Sequence, residues 1–144
     1  MIDSILVATD GSTDAKSAAA EAIDLTERLD VPLHIVSTVE TRTAYDNAIV
    51  DPAEVNAQLH DRAETAVEAT EAMAEDVTVP TQSRVLSGVP HLEILDYATE
   101  HDIGAIVLGS TGRSRFKRTL LGSTTEGVLQ HADRPVIVCS ASNE

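Results

Sequence analysis

Ile5-Leu6-Val7-Ala8-Thr9-Asp10-Gly11-Ser12 is the stretch that decides the fold. The apolar run over residues 2–8 predicts a strand covered on both faces, because a half-solvated strand would alternate with polar residues. Thr9-Asp10-Gly11-Ser12 then supplies turn chemistry. Beyond the turn, Ala15, Ala18, Ala19, Ala22, Ile23, Leu25 and Leu29 recur at helical spacing, and Pro32 breaks the pattern. A second strand is predicted over residues 33–39. Strand, turn, helix and strand in that order make a β-α-β unit.

The alternation continues outward from this unit. Residues 41–50 are polar and irregular and read as a loop. Asp51-Pro52 has the form of an N-cap followed by proline at the first helical position. Val55, Leu59, Ala63, Ala66, Val67, Thr70 and Met73 carry that helix, with acids on its other face. Residues 81–87 form a weaker third strand, and Gly88-Val89-Pro90 starts a helix bearing Leu92, Ile94, Leu95 and Ala98. Residues 105–108 are a fourth strand, Ser123–His131 a short helix, and residues 135–140 a fifth strand. The predicted fold class is α/β: one doubly wound domain over residues 1–144, a five-stranded parallel sheet with helices on both faces.

Charge narrows the function. The chain has 24 Asp and Glu against 10 Lys and Arg, a formal net charge of −14. Such a surface repels nucleic acid and anionic membranes, so neither is expected as a partner. Only Lys16 and Lys117 are lysines, and an acidic, lysine-poor surface suits a salt-rich, halophilic cytoplasm. Aromatic residues are scarce, which removes the stacking platforms of single-strand binding. Cys139 is the sole cysteine and lies in an apolar run, so a buried thiol is expected. The first residues lack a basic segment of the signal-peptide kind, and no apolar run reaches the roughly 20 residues of a membrane span. The expected location is the cytoplasm.

Against this acidic background, Arg113, Arg115, Lys117 and Arg118 fall within six positions. They follow the fourth strand, and open parallel sheets bind ligands beyond the carboxyl ends of their strands. Gly109, Gly112 and Gly122 bracket them, and Ser123-Thr124 opens the next helix. Glycines allow close backbone approach to an anion, and a helix N-terminus offers free N–H groups and a positive dipole end. Together these features point to a polyphosphate site. Ser123-Thr124-Thr125-Glu126 also fits a capping box, in which Ser123 would only cap its helix. The basic cluster has a second reading, as a solvated patch pairing with the acidic surface or with a partner protein.

Other nucleotide motifs fail. Gly104 to Thr111 has the cadence of a P-loop, but Ser110 stands where the lysine belongs. The dinucleotide pattern is absent after the first strand. A phospho-receiver would need an aspartate after the third strand and a lysine after the fifth; Ser87-Gly88 and Ser140-Ala141 stand there instead.

Gly109-Ser110-Thr111-Gly112, then nine residues, then Gly122-Ser123 matches Gly-x2-Gly-x9-Gly-Ser/Thr. This pattern resembles the ATP-binding signature of the universal stress protein family. The resemblance extends over almost the whole chain: the opening strand and turn at residues 5–12, Gly88-Val89-Pro90, Ile106-Val107-Leu108-Gly109, and Arg134-Pro135-Val136-Ile137-Val138. It implies a sheet ordered 3-2-1-4-5. It further implies an adenine and ribose side at Ala8, Asp10, Thr38 and Val39, and a phosphate side at Gly109, Gly112, Arg113, Gly122, Ser123 and Thr124. ATP, or AMP or ADP, is the implied ligand, with Mg²⁺ on the phosphates. A homodimer through the C-terminal strand is implied too. Asp10 has a second reading as an Asx turn. Departures from the family pattern are Ala8 where proline is frequent, Gly104 where aspartate is frequent, and Thr38 where an aliphatic residue is common.

No catalytic constellation is visible. His34, His60, His91, His101 and His131 are scattered through the sequence without metal-ligand spacing. An enzyme is not expected beyond slow ATP hydrolysis or self-phosphorylation at Ser110, Thr111 or Ser123. The leading expectation is therefore an ATP-dependent regulatory module in a stress response. The alternatives are a nucleotide-independent homodimer of the same family and a weak ATPase.

Overall fold

The computed structural model describes residues 2–40, 52–111 and 121–141. Nine elements follow one another among the described residues: β1 (Ile5–Ala8), α1 (Thr13–Leu29), β2 (Leu33–Glu40), α2 (Pro52–Met73), β3 (Thr81–Gly88), α3 (Pro90–Glu100), β4 (Ala105–Gly109), α4 (Ser123–His131) and β5 (Val136–Cys139). The five strands form one parallel sheet in the order β3-β2-β1-β4-β5. This is the doubly wound arrangement that the sequence predicts and the strand order that the family resemblance implies.

Alternation along each strand builds two cores. Ile5, Val7, Leu33, Ile35 and Val107 face one side, where Ala18, Ala19 and Ala22 of α1 and Val67 of α2 cover them. Leu6, Val36, Ile106 and Leu108 face the other, against Ile94, Tyr97 and Ala98 of α3 and Val128 of α4. Both faces of β1 and β4 are thus apolar, which is why their sequences read as unbroken runs. β3 is different. It lies at the sheet edge with its first four residues exposed, so its sequence is polar and its signal weak.

Several boundaries moved, each for a local reason. β1 begins at Ile5 because its ladder partners are Leu33–Val36 and Ala105–Val107 and nothing pairs with residues 2–4 in register. α1, by contrast, ends at Leu29, the last apolar position of the predicted helix. Asp30 takes the left-handed conformation (φ 55°) and donates its N–H to the Thr26 carbonyl. β5 spans Val136–Cys139, set by pairing with Ile106–Gly109. The expected loop at 41–50 and the cap at Asp51 lie outside the described residues.

Arg134 joins the far end of the sheet to α3. Its Nη1 donates to the carbonyls of Ala98 and Ile103, each at 2.8 Å, while Nε meets Asp133 at 3.0 Å. The end of α3 and the entry to β4 are thereby fixed together. Among the described residues, no helix is long and apolar enough to cross a membrane.

Candidate functional site

β1 and β4 are neighbours in the sheet, yet their connections diverge: β1 leads into α1 on one face, and β4 leads toward α4 on the other. A crevice opens where such connections part, at the carboxyl ends of the strands. Here it is a cavity of about 320 Å³, near the lower end of the range for small-molecule sites. Its apolar wall comes from Ala8, Ala15, Pro90, Ile94 and Leu108. Its polar groups are Thr9, Asp10, Thr38, Glu40, Thr111 and the first turn of α4.

Seven of the predicted site residues meet in this cavity: Ala8, Asp10, Thr38, Gly109, Gly122, Ser123 and Thr124. They come from β1 and the turn after it, β2, β4, and the N-cap and first turn of α4. Val39 does not join them through its side chain. Successive side chains of a strand point to opposite faces, so Thr38 and Glu40 face the cavity while Val39 is buried on the α1 and α2 side. Gly112 and Arg113, with the rest of the basic cluster, lie outside the described residues.

The turn after β1 is built by its own side chains. Asp10 Oδ1 accepts the Ser12 N–H at 2.9 Å, an Asx turn, and Thr9 Oγ1 accepts the Gly11 N–H at 3.1 Å. Gly11 needs φ 82°, which glycine adopts without strain. The N-cap of α1 is Ser12, whose Oγ accepts from Ala15 N–H. Asp10 therefore makes its turn and also reaches the cavity wall.

α4 begins differently from the capping box in its sequence. Its N-cap is Gly122, with no side-chain cap bond, and Ser123 is the first helical residue. Thr125 turns inward and donates to the Gly109 carbonyl at 2.6 Å. Ser123 and Thr124 line the cavity, together with the first turn of the helix, whose N–H groups have no partners within the helix. An anion at this end would meet those donors and the positive end of the helix.

The opposite wall is acidic. Asp10 and Glu40 both line it, and no lining residue among those described is a cation. Thr38 Oγ1 is buried there without a hydrogen-bond partner among the described residues, a state that costs about 1–3 kcal/mol unless something supplies one.

Gly109 owes its identity to packing. A Cβ there would lie 2.7 Å from the Asp14 carbonyl carbon and 2.8 Å from the Ala15 nitrogen. The first turn of α1 passes directly over the end of β4, and only glycine leaves room for it.

The histidines are less scattered than their sequence positions suggest. On the α3 side of β2, buried His34 Nδ1 lies 2.8 Å from the Tyr97 hydroxyl, to which Gln82 Nε2 also donates at 3.2 Å. His101 stacks on Tyr97 at 3.9 Å and contacts His34 edge-on at 5.5 Å. Burial, and then the neighbouring His101, lower the His34 pKa from its usual 6.5. Burial raises that of Tyr97. On α3 and α4, His91 stacks against His131 at 5.9 Å.

Sequence reasoning missed Glu40 and Thr125 as wall residues, and named Thr111 only as a candidate phosphoryl acceptor. Strand alternation could have found Glu40, two residues beyond Thr38. It also missed Asp14, which is 3% exposed and bonds Ser110, Thr111 and Ala141. No local signal marks that role, since its partners lie 96 to 127 residues away.

The same architecture is found in known proteins. Universal stress protein MJ0531 of Methanocaldococcus jannaschii is 31% identical over 93% of this chain and 79% of its own length. The solved structure of hypothetical protein MJ0577 superposes with a TM-score of 0.86 at 26% identity, covering 100% of this chain and 99% of that one. Universal stress protein UspA from Lactobacillus plantarum gives 0.83 at 31% identity, over 94% and 96% of the two chains. The model of the universal stress protein family itself matches residues 1–140, and the chain belongs to that family.

Proposed function

We propose that the cavity between β1, β2, β4 and α4 binds an adenine nucleotide, ATP above all, and that occupancy modulates a dimer or partner surface in a stress response. The observation that carries this is the cavity's polarity. It has an apolar slot at Ala8, Ile94 and Leu108 and a helix N-terminus with two hydroxyls at its other end. The slot suits a base, and the helix end suits phosphate. Thr38, whose hydroxyl lacks a partner, offers a hydrogen bond at the base side. Asp10 is assigned to the ribose, and the Val39 backbone to the adenine edge. Gly109, Gly122, Ser123 and Thr124 are assigned to the phosphates, joined by Gly112 and Arg113 from beyond the described residues. With Asp10 and Glu40 in the wall, a divalent cation such as Mg²⁺ would relieve their repulsion of the phosphates.

Two proteins of the same fold lend support: a universal stress protein solved in complex with cAMP and one from Archaeoglobus fulgidus with dAMP. Each is 20% identical to this chain, so the reading rests on the cavity and not on them. The oligomeric half of the proposal rests on β5. It is an edge strand without charges, and Val138 on it is 36% exposed.

Nucleotide content is the test. The protein is purified in high salt and denatured, and the released small molecules are separated by chromatography. An adenine nucleotide near one per chain, lost on substituting Gly112 and Ser123, is the expected result. If none is released and calorimetric titration with ATP is silent, the site reading fails and the nucleotide-independent dimer replaces it.

A further inference from the structure

Asp14 is the second helical residue of α1, behind the Ser12 cap, where the helix dipole favours a carboxylate. It is buried, and its charge is met by donors from two distant segments. Oδ2 accepts from the Ser110 hydroxyl at 2.9 Å, the Thr111 N–H at 3.2 Å and the Thr111 hydroxyl at 2.5 Å. Oδ1 accepts from the Ala141 N–H at 2.8 Å. A buried carboxylate needs such a set, and bonds to a charged group are the strong ones.

The identity of those donors is informative. Thr111 is itself a wall residue of the cavity. The Ser110 carbonyl accepts the Gly122 N–H at 2.8 Å, and Gly122 is the N-cap of α4. Thr111 and Gly122 are two points of the cavity wall. Asp14 holds the first point directly and the second through Ser110. Ser110 is braced in turn by Ser140, which donates to its hydroxyl at 2.7 Å, and by its own N–H on the Cys139 carbonyl at 2.8 Å. By contrast Ala8, Thr38 and Glu40, at the base end, belong to β1 and β2 and are fixed by the sheet ladder.

We infer that Asp14 is a positioning residue for the anion-binding end of the cavity: it sets where Thr111 and the N-terminus of α4 stand relative to the strand ends. The inference rests on the nucleotide reading and goes beyond it by dividing the site into an end that Asp14 controls and an end that it does not. Asp14 itself touches no ligand in this scheme.

The division gives a test that general destabilisation would not mimic. ATP and adenosine are titrated separately into the wild-type protein, Asp14→Asn and Ser110→Ala, with the melting temperature of each recorded. Asp14→Asn keeps the shape and removes the charge. Ser110→Ala removes one donor, and its residue does not line the cavity. Asp14→Asn is expected to weaken ATP by on the order of tenfold, the scale of one lost bond to a charged group. Ser110→Ala should weaken it in the same direction but less, and adenosine should bind all three proteins alike. Equal loss of ATP and adenosine, or unchanged ATP affinity, overturns the inference while leaving the nucleotide reading intact. Should Asp14→Asn not fold, the Ser110→Ala comparison decides by the same criterion. If the wild-type protein binds neither compound, the nucleotide reading fails first and the inference falls with it.

Discussion

Replacing Gly109 by alanine tests the claim that this glycine exists to let α1 approach β4. The new Cβ would stand 2.7 Å from the Asp14 carbonyl carbon, 2.8 Å from the Ala15 nitrogen and 2.9 Å from the Asp14 oxygen. All three are backbone atoms of a helix, so no side chain can rotate aside. Reaching an ordinary contact near 3.4 Å requires α1 and β4 to part by about 0.7 Å. Parting is resisted because it opens packed contacts: Ala18 and Ala22 of α1 lie on the sheet, and β4 is paired with β1 and β5. Overpacking of this kind costs about 2 kcal/mol. For a chain of this size that corresponds to a fall in Tm of about 4–8 °C. The parting would also stretch the Asp14 bonds to Ser110 and Thr111. Urea unfolding followed by circular dichroism, with a thermal scan alongside, measures the change. Gly109 lies outside the left-handed region, so backbone strain adds nothing and the whole effect is steric. A loss below about 0.5 kcal/mol, the level of an ordinary surface substitution, would refute the packing argument.

Three other perturbations follow from named contacts. Because the folded His34 has a lowered pKa, the unfolded chain binds its proton first. Stability is full above pH 6.5 and falls as the pH drops below it, and His34→Gln should flatten that part of the curve in unfolding experiments across pH. Arg134→Ala should cost about 2 kcal/mol in urea unfolding, since the Ala98 and Ile103 carbonyls lose a shared charged donor; Arg134→Lys should recover only part of it, lacking the planar fork. If the β5 edge forms the dimer, Val138→Glu should shift sedimentation toward monomer while leaving the melting temperature of the monomer within about 0.5 kcal/mol of stability; an unchanged dimer would move the interface elsewhere.

The fold was legible because its signals are short-ranged. β1 and β4 carry unbroken apolar runs since both their faces are covered, and α1 carries alanines at helical spacing since it lies close on the sheet. Much of the cavity was legible as well, through a glycine and hydroxyl pattern that sits at strand and helix ends by its nature. Val39 was the exception. The family resemblance named Thr38 and Val39 together, and the two-residue period of a strand sends their side chains to opposite faces.

The sequence by itself determined which segments are strands and helices, the class of fold, and the stretches that would border a ligand. The tertiary structure alone decided what Asp14, Gly109, Arg134 and the His34 cluster do. Their roles depend on partners from segments remote in the chain: Ala141 lies 127 residues beyond Asp14, and Tyr97 lies 63 beyond His34. Secondary structure follows from interactions within a few residues, which a linear pattern records. A buried charge or a close backbone contact is determined by which remote segment arrives beside it, and only the packing of the whole sheet specifies that.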